Sequence, residues 1–170
     1  LNATQNKKLI AAMAFIIFSV VFWAVFEQAG GSLSDFSTVH IAVLDLGFMK
    51  IDQNGVNNSA NSIFVILFAT VVGLIWLGMA KRKLEPNSVN KFGIGFLFLG
   101  LGFFVFYAIR FIAGEDSVAD MGIFVGGYFV VTIAELCLSP IGLSLMTKLA
   151  PEKLQGFMMG MWFLASAYGQ

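Results

Sequence analysis

Three uncharged apolar runs, each near the length of a membrane crossing, constrain this chain more than any other feature. Residues 9–26 read LIAAMAFIIFSVVFWAVF, residues 63–80 read IFVILFATVVGLIWLGMA and residues 92–109 read FGIGFLFLGLGFFVFYAI. A helix needs roughly 20 residues to cross about 30 Å of hydrocarbon. A fourth run, 121–146, carries a single charge, Glu135, and a fifth begins near Gly156. The runs are apolar on all faces and rich in Leu, Ile, Phe and Ala, whereas barrel strands would alternate at every second residue. With 58% hydrophobic and 12% charged residues, the chain could not hide its apolar surface as a soluble domain. The expected fold class is an all-α polytopic membrane protein. Its spans fall at about 8–38, 58–80, 91–110, 120–147 and 155–170, the last looking incomplete. Several such runs, continuing to the end, exclude a secretory signal. Five spans suggest a fragment of a larger bundle, too small to hold a whole transport pathway.

Basic residues set the orientation. Lys7 and Lys8, then Lys81, Arg82, Lys83 and Lys91, then Lys148 and Lys153 fall on one side; only Lys50 and Arg110 fall on the other. The positive-inside rule makes the first side, and the N-terminus of this segment, cytoplasmic in the cell (inner) membrane. Asp45, Asp52, Glu115, Asp116 and Asp120 then lie outside, and the connection at 40–58 reads as an ordinary loop. Ten acidic residues cancel ten basic ones, so no strong field draws nucleic acid. Cys137 is the single cysteine and His40 the single histidine, so neither a disulfide nor a Cys/His metal cluster is expected. No nucleophile elbow, phosphate loop or zinc-binding helix motif is present, and nothing marks an enzyme.

The informative residues are polar ones inside or beside the runs. Glu135 lies near the middle of the fourth run, too deep to snorkel, with Ser139 one turn on and Pro140 next. An intramembrane carboxylate is a functional candidate by default, and a proline is tolerated where the helix lines a cavity. The alternative is a structural ion pair with another helix. Glu27 closes the first run, on the same helix face as Trp23 and beside Phe26; it either acts at membrane depth or is solvated at the outer interface. Asn61 opens the second run and reads as a helix cap on sequence alone. Trp162 is either an interface anchor or a cavity wall. Gly122-x-x-x-Gly126, Gly156-x-x-x-Gly160 and the glycines at 93, 95, 100 and 102 permit close approach of helices.

Two blocks carry a resemblance. FWAVFEQAGGSLSDFS (22–37) and AELCLSPIGLSLMTKLAPEKLQGFMMGMWFLASAYG (134–169) resemble the C-terminal half of the proton-dependent oligopeptide transporters of the major facilitator superfamily. The resemblance implies spans seven to eleven of that fold, a fragment of its C-terminal six-helix bundle. Asn61 is followed by Ser62 where the family usually has proline. By this resemblance Glu135, aided by Asn61, meets the amino terminus of a di- or tripeptide, and Ser139 lines the same pocket. Trp23, Phe26 and Trp162 form apolar walls. Glu27 pairs with a basic residue of the absent N-terminal half in an outer gate, and Glu135 also pairs there with a lysine when substrate is absent. Protons are the coupling ion, with no other cofactor. A carboxylate recognises the constant ammonium, while aromatic walls tolerate variable side chains. A same-superfamily transporter of another solute, such as nitrate, and a structural membrane subunit whose glutamates only hold helices together are the competing readings.

Overall fold

The computed structural model describes residues 3–113 and 118–169. Glu115 and Asp116, read as outer acidic residues, fall outside the described residues. Six α-helices follow one another: α1 (Ala3–Phe26), α2 (Ser32–His40), α3 (Gln53–Lys81), α4 (Ser88–Ala113), α5 (Met121–Leu149) and α6 (Gln155–Gly169). Among the described residues, four stretches are long and apolar enough to cross a membrane: 3–40, 53–81, 88–112 and 121–149.

The expected first span, 8–38, is not one continuous helix. It breaks at a 3-10 turn, Glu27–Ala29, followed by Gly30 and Gly31, before α2 begins. Two successive glycines lower helix stability by roughly 1 kcal/mol each relative to alanine, and helices bend at such pairs. Polar side chains bridge the break: Ser32 Oγ donates to Gln28 Oε1 at 2.9 Å, and Gln28 Nε2 donates to the Ala24 carbonyl at 3.2 Å. The 40–58 connection is also more ordered than a plain loop. Leu44–Asp45 and Lys50–Ile51 form an antiparallel hairpin whose turn places Gly47 at φ +80°. α3 then starts at Gln53, well before 58, because Asp52 caps it: its Oδ1 accepts from the Gly55 N–H at 2.6 Å. Asp120 caps α5 in the same way through the Gly122 N–H.

α5 is the central post. It packs along α4 and also touches α3, α6 and α1. The α4–α5 seam is set by glycines at specific heights. A Cβ at Gly102 would come within 2.3 Å of Val131 Cγ2, and one at Gly127 within 2.2 Å of the Phe106 ring. Gly95 meets the Ala134 carbonyl and Leu138. The two expected glycine pairs do not act this way inside the chain. Gly126, Gly156 and Gly160 have nothing within 4 Å of a built Cβ, and Gly122 meets only its own cap, Asp120. Spacing alone names a candidate pair, but the face that a neighbouring helix covers decides which glycine is used.

The basic ends converge. Lys8 and Lys153 line one cavity, of about 720 Å³, and Lys91 and Lys148 line a second, of about 470 Å³. Lys91 is 6% exposed, paired with Glu85, and its Nζ sits 4.9 Å above the Trp76 ring, which ties the end of α3 to the start of α4. The opposite end is closed by backbone bonds between His40–Ala42 and Ala119, and by Gln53 Nε2 donating to the Ile41 carbonyl.

Candidate functional site: a carboxylate on a polar seam

The α3-facing side of α5 presents Tyr128, Thr132 and Glu135. Their i, i+4, i+7 spacing keeps them on one stripe. α3 answers with Asn57 and Asn61, four residues apart. Asn61 is therefore not a helix cap: it lies two turns inside α3, and Asp52 does the capping. Its Nδ2 donates to Glu135 Oε2 at 2.8 Å and to Thr132 Oγ1 at 3.2 Å. A hydrogen bond to a charged partner contributes about 1.5–3 kcal/mol. This contact joins two helices 74 positions apart in the chain.

Glu135 is half-buried and has no cationic partner among the described residues. The side-chain ion pairs among the described residues include Lys50–Asp45, at 3.3 Å, and Lys91–Glu85. The alternative of a structural ion pair inside these helices is thus not realised. Glu135 Oε1 and Asn61 Oδ1 make no hydrogen bond among the described residues. The pair accordingly offers two acceptor oxygens, one of a carboxyl and one of an amide, with no donor bonded to them among the described residues. That set suits a cationic donor such as a primary ammonium. The five cavities described on the chain, of about 400–720 Å³, are lined by other residues. The acceptor pair stands on a half-buried face, not in a closed pocket.

Trp23, Phe26 and Glu27 gather where α1 ends. Trp23 and Phe26 pack edge to face with centroids 5.2 Å apart, and Phe22 stacks on Phe26 at 5.9 Å. The Trp23 Nε1–H is buried without a hydrogen-bond partner. Glu27, in the break, has no ion-pair partner among the described residues. Ser139 Oγ is also buried and unpartnered, one turn past Glu135. α5 continues through Pro140 as a single helix.

Trp162 corrects the expectation of an apolar wall beside Glu135. It is 4% exposed, because its indole fills the space that Gly142 leaves on α5, and Phe92 of α4 meets it edge to face at 6.3 Å. Its ring holds α6 to the bundle. Sequence reasoning also missed three seam residues. Tyr128 (2% exposed) donates to Asn57 Oδ1, Asn57 Nδ2 donates to Ser37 Oγ at 3.2 Å, and Thr132 (0% exposed) joins the Asn61 contact. The available signal was their spacing from Glu135 and Asn61 at helical period.

Known proteins resemble this chain along nearly its whole length. The family described as PTR2, POT family, matches residues 1–170. Peptide transporter YePEPT from Yersinia enterocolitica is 36% identical over 99% of the chain, and a di-/tripeptide transporter from Lactococcus lactis subsp. cremoris is 29% identical over 99%. The chain spans about a third of each relative, 33% and 34%. The crystal structure of peptide transporter POT in complex with sulfate superposes with a TM-score of 0.85 at 32% identity, covering 99% of this chain and 33% of that one. A POT family transporter in complex with a thioalcohol-conjugated peptide gives 0.85 at 29% identity, again over 99% of this chain and 34% of the other. The chain belongs to the POT family.

Proposed function

We propose that this chain is part of a longer proton-coupled importer of di- and tripeptides, and that it supplies the ammonium-recognising wall of the substrate site. The single observation that carries the reading is the acceptor pair of Asn61 and Glu135, which no cation in the chain satisfies among the described residues. Peptides vary in side chain but share an ammonium, and a carboxylate in low dielectric attracts it strongly. Trp23 and Phe26 then offer non-directional contact to side chains, and Ser139 a free hydroxyl. Glu27 pairs with a basic residue of a partner half that completes the site, in its outer gate. When substrate is absent, Glu135 pairs with a lysine of that half.

The coupling ion is the proton, with no other cofactor. A carboxyl that passes between a dry contact and a wet one can bind and release a proton, and so shift the balance between outward- and inward-open states. The convergence of Lys8, Lys91, Lys148 and Lys153 at one end supports a cytoplasmic start to the segment, in the inner membrane.

The test is Glu135→Gln in the full-length transporter. Proton-driven dipeptide uptake into vesicles falls at least about a hundredfold, while membrane insertion and yield match the parent. Uptake equal to the parent would contradict the reading.

A further inference from the structure

Asn61 could face Glu135 in either of two amide orientations, and only one is useful. With Nδ2 toward α5 it donates to the carboxylate; with Oδ1 toward α5 it would repel it. The structure contains a device that selects between them. Thr132 Oγ1 donates its only proton to the Tyr128 carbonyl of its own helix, at 2.8 Å. What Thr132 then offers across the seam is lone pairs alone. Asn61 must meet it with an N–H, and does so at 3.2 Å. The second N–H of the same nitrogen is thereby aimed at Glu135 Oε2, at 2.8 Å. A reversed amide would set an acceptor against two acceptors in a buried seam, where unsatisfied polar atoms are costly.

We propose that Thr132 is a positioning residue for the substrate site: it fixes the polarity of the Asn61 amide, which holds Glu135 by one oxygen and leaves Glu135 Oε1 and Asn61 Oδ1 free for a ligand ammonium. The proposal rests on the peptide reading for its ligand, but not for its geometry. Thr132 touches no ligand itself. It is fully buried and acts through Asn61. Valine at this position keeps the shape and removes the hydroxyl. The amide is then oriented by the Glu135 carboxylate alone, so fewer molecules present the acceptor pair.

The experiment measures dialanine binding to the full-length transporter for Thr132→Val, Thr132→Ser, Asn61→Ala and the double variant Asn61→Ala with Thr132→Val. We expect Thr132→Val to raise the dissociation constant about tenfold, the equivalent of one hydrogen bond. Thr132→Ser, which keeps the hydroxyl, stays within about twofold. In the Asn61→Ala background, Thr132→Val adds nothing, because there is no amide left to orient. Unchanged affinity in Thr132→Val would overturn the proposal, and so would an equal loss in the Asn61→Ala background, which marks a merely structural role. If the parent protein binds no dialanine, the peptide reading fails instead. The proposal is then decided by the infrared carboxylate band of Glu135, identified by its loss in Glu135→Gln. That band shifts on Thr132→Val only when Asn61 is present; a band that stays put would overturn it.

Discussion

On the side facing α4, α5 presents Gly127 to Phe106 and Val131 to Gly102; on the side facing α3, it presents Tyr128, Thr132 and Glu135 to Asn57 and Asn61. Adjacent residues of one helix thus serve opposite ends. The α4 side is apolar and close enough that no Cβ fits at Gly102 or Gly127. In a bilayer, lipid is as apolar as leucine, so helices gain by packing closely through small residues. Such a seam has one good arrangement and resists sliding. The α3 side is joined by a few directional bonds and by Phe64 and Phe68 packing on Phe129, and much of the rest of α3 is exposed, including Ile66, Leu67 and Leu74. A seam of that kind can exchange partners without unfolding its helices. The difference teaches that α5 is a fixed support on one face and a working surface on the other.

The largest effect should come from spoiling the support. Gly127→Val puts a Cβ about 2.2 Å from the Phe106 ring, and overpacking of this kind costs about 1–3 kcal/mol. Thermal unfolding of the purified transporter in detergent checks this. A midpoint equal to the parent would mean that α4 and α5 stand further apart than described. A smaller effect follows on the polar side. Tyr128→Phe removes the hydroxyl that reaches Asn57 and lies 3.4 Å from the Ala29 carbonyl in the α1–α2 break. We expect a loss of about 1 kcal/mol. Faster amide exchange at 27–37 is the measurement, because Asn57 passes the contact on to Ser37. Exchange rates that do not change would separate the break from the seam. The smallest effect is expected at Gly126→Ala, where nothing lies within 4 Å of the new methyl. Stability should stay within about 0.5 kcal/mol. A greater loss would reveal that something outside this chain packs on that face, and that α5 has a third working side.

Much of this contrast was legible in the sequence, but unevenly. The apolar runs expose the helices because bilayer thickness sets their length. Glu135 stands out because a lone charge in a 26-residue apolar run, 121–146, has no cheap explanation. Thr132 and Tyr128 did not stand out, since either residue is ordinary in a membrane helix and becomes informative only once α3 is known to lie across from it. Position alone makes Asn61 read as a cap for a related reason: the hydrophobic run starts there, but the helix starts two turns earlier at a carboxylate cap. The glycine pairs at 122/126 and 156/160 have the expected spacing but no helix covering them among the described residues, whereas Gly127 and Gly142, in no such pair, carry close contacts. Trp162 went astray through the same missing knowledge, because the hole at Gly142 that accepts its ring cannot be read from residues 156–169.

The most direct measurement is a structure of the full-length transporter with a bound dipeptide. The account places the peptide ammonium within about 3 Å of Glu135 Oε1 and Asn61 Oδ1, with the Asn61 Nδ2 contacts to Glu135 and Thr132 kept. A peptide bound with its carboxylate there, or with its ammonium held elsewhere while Glu135 faces lipid, would contradict it.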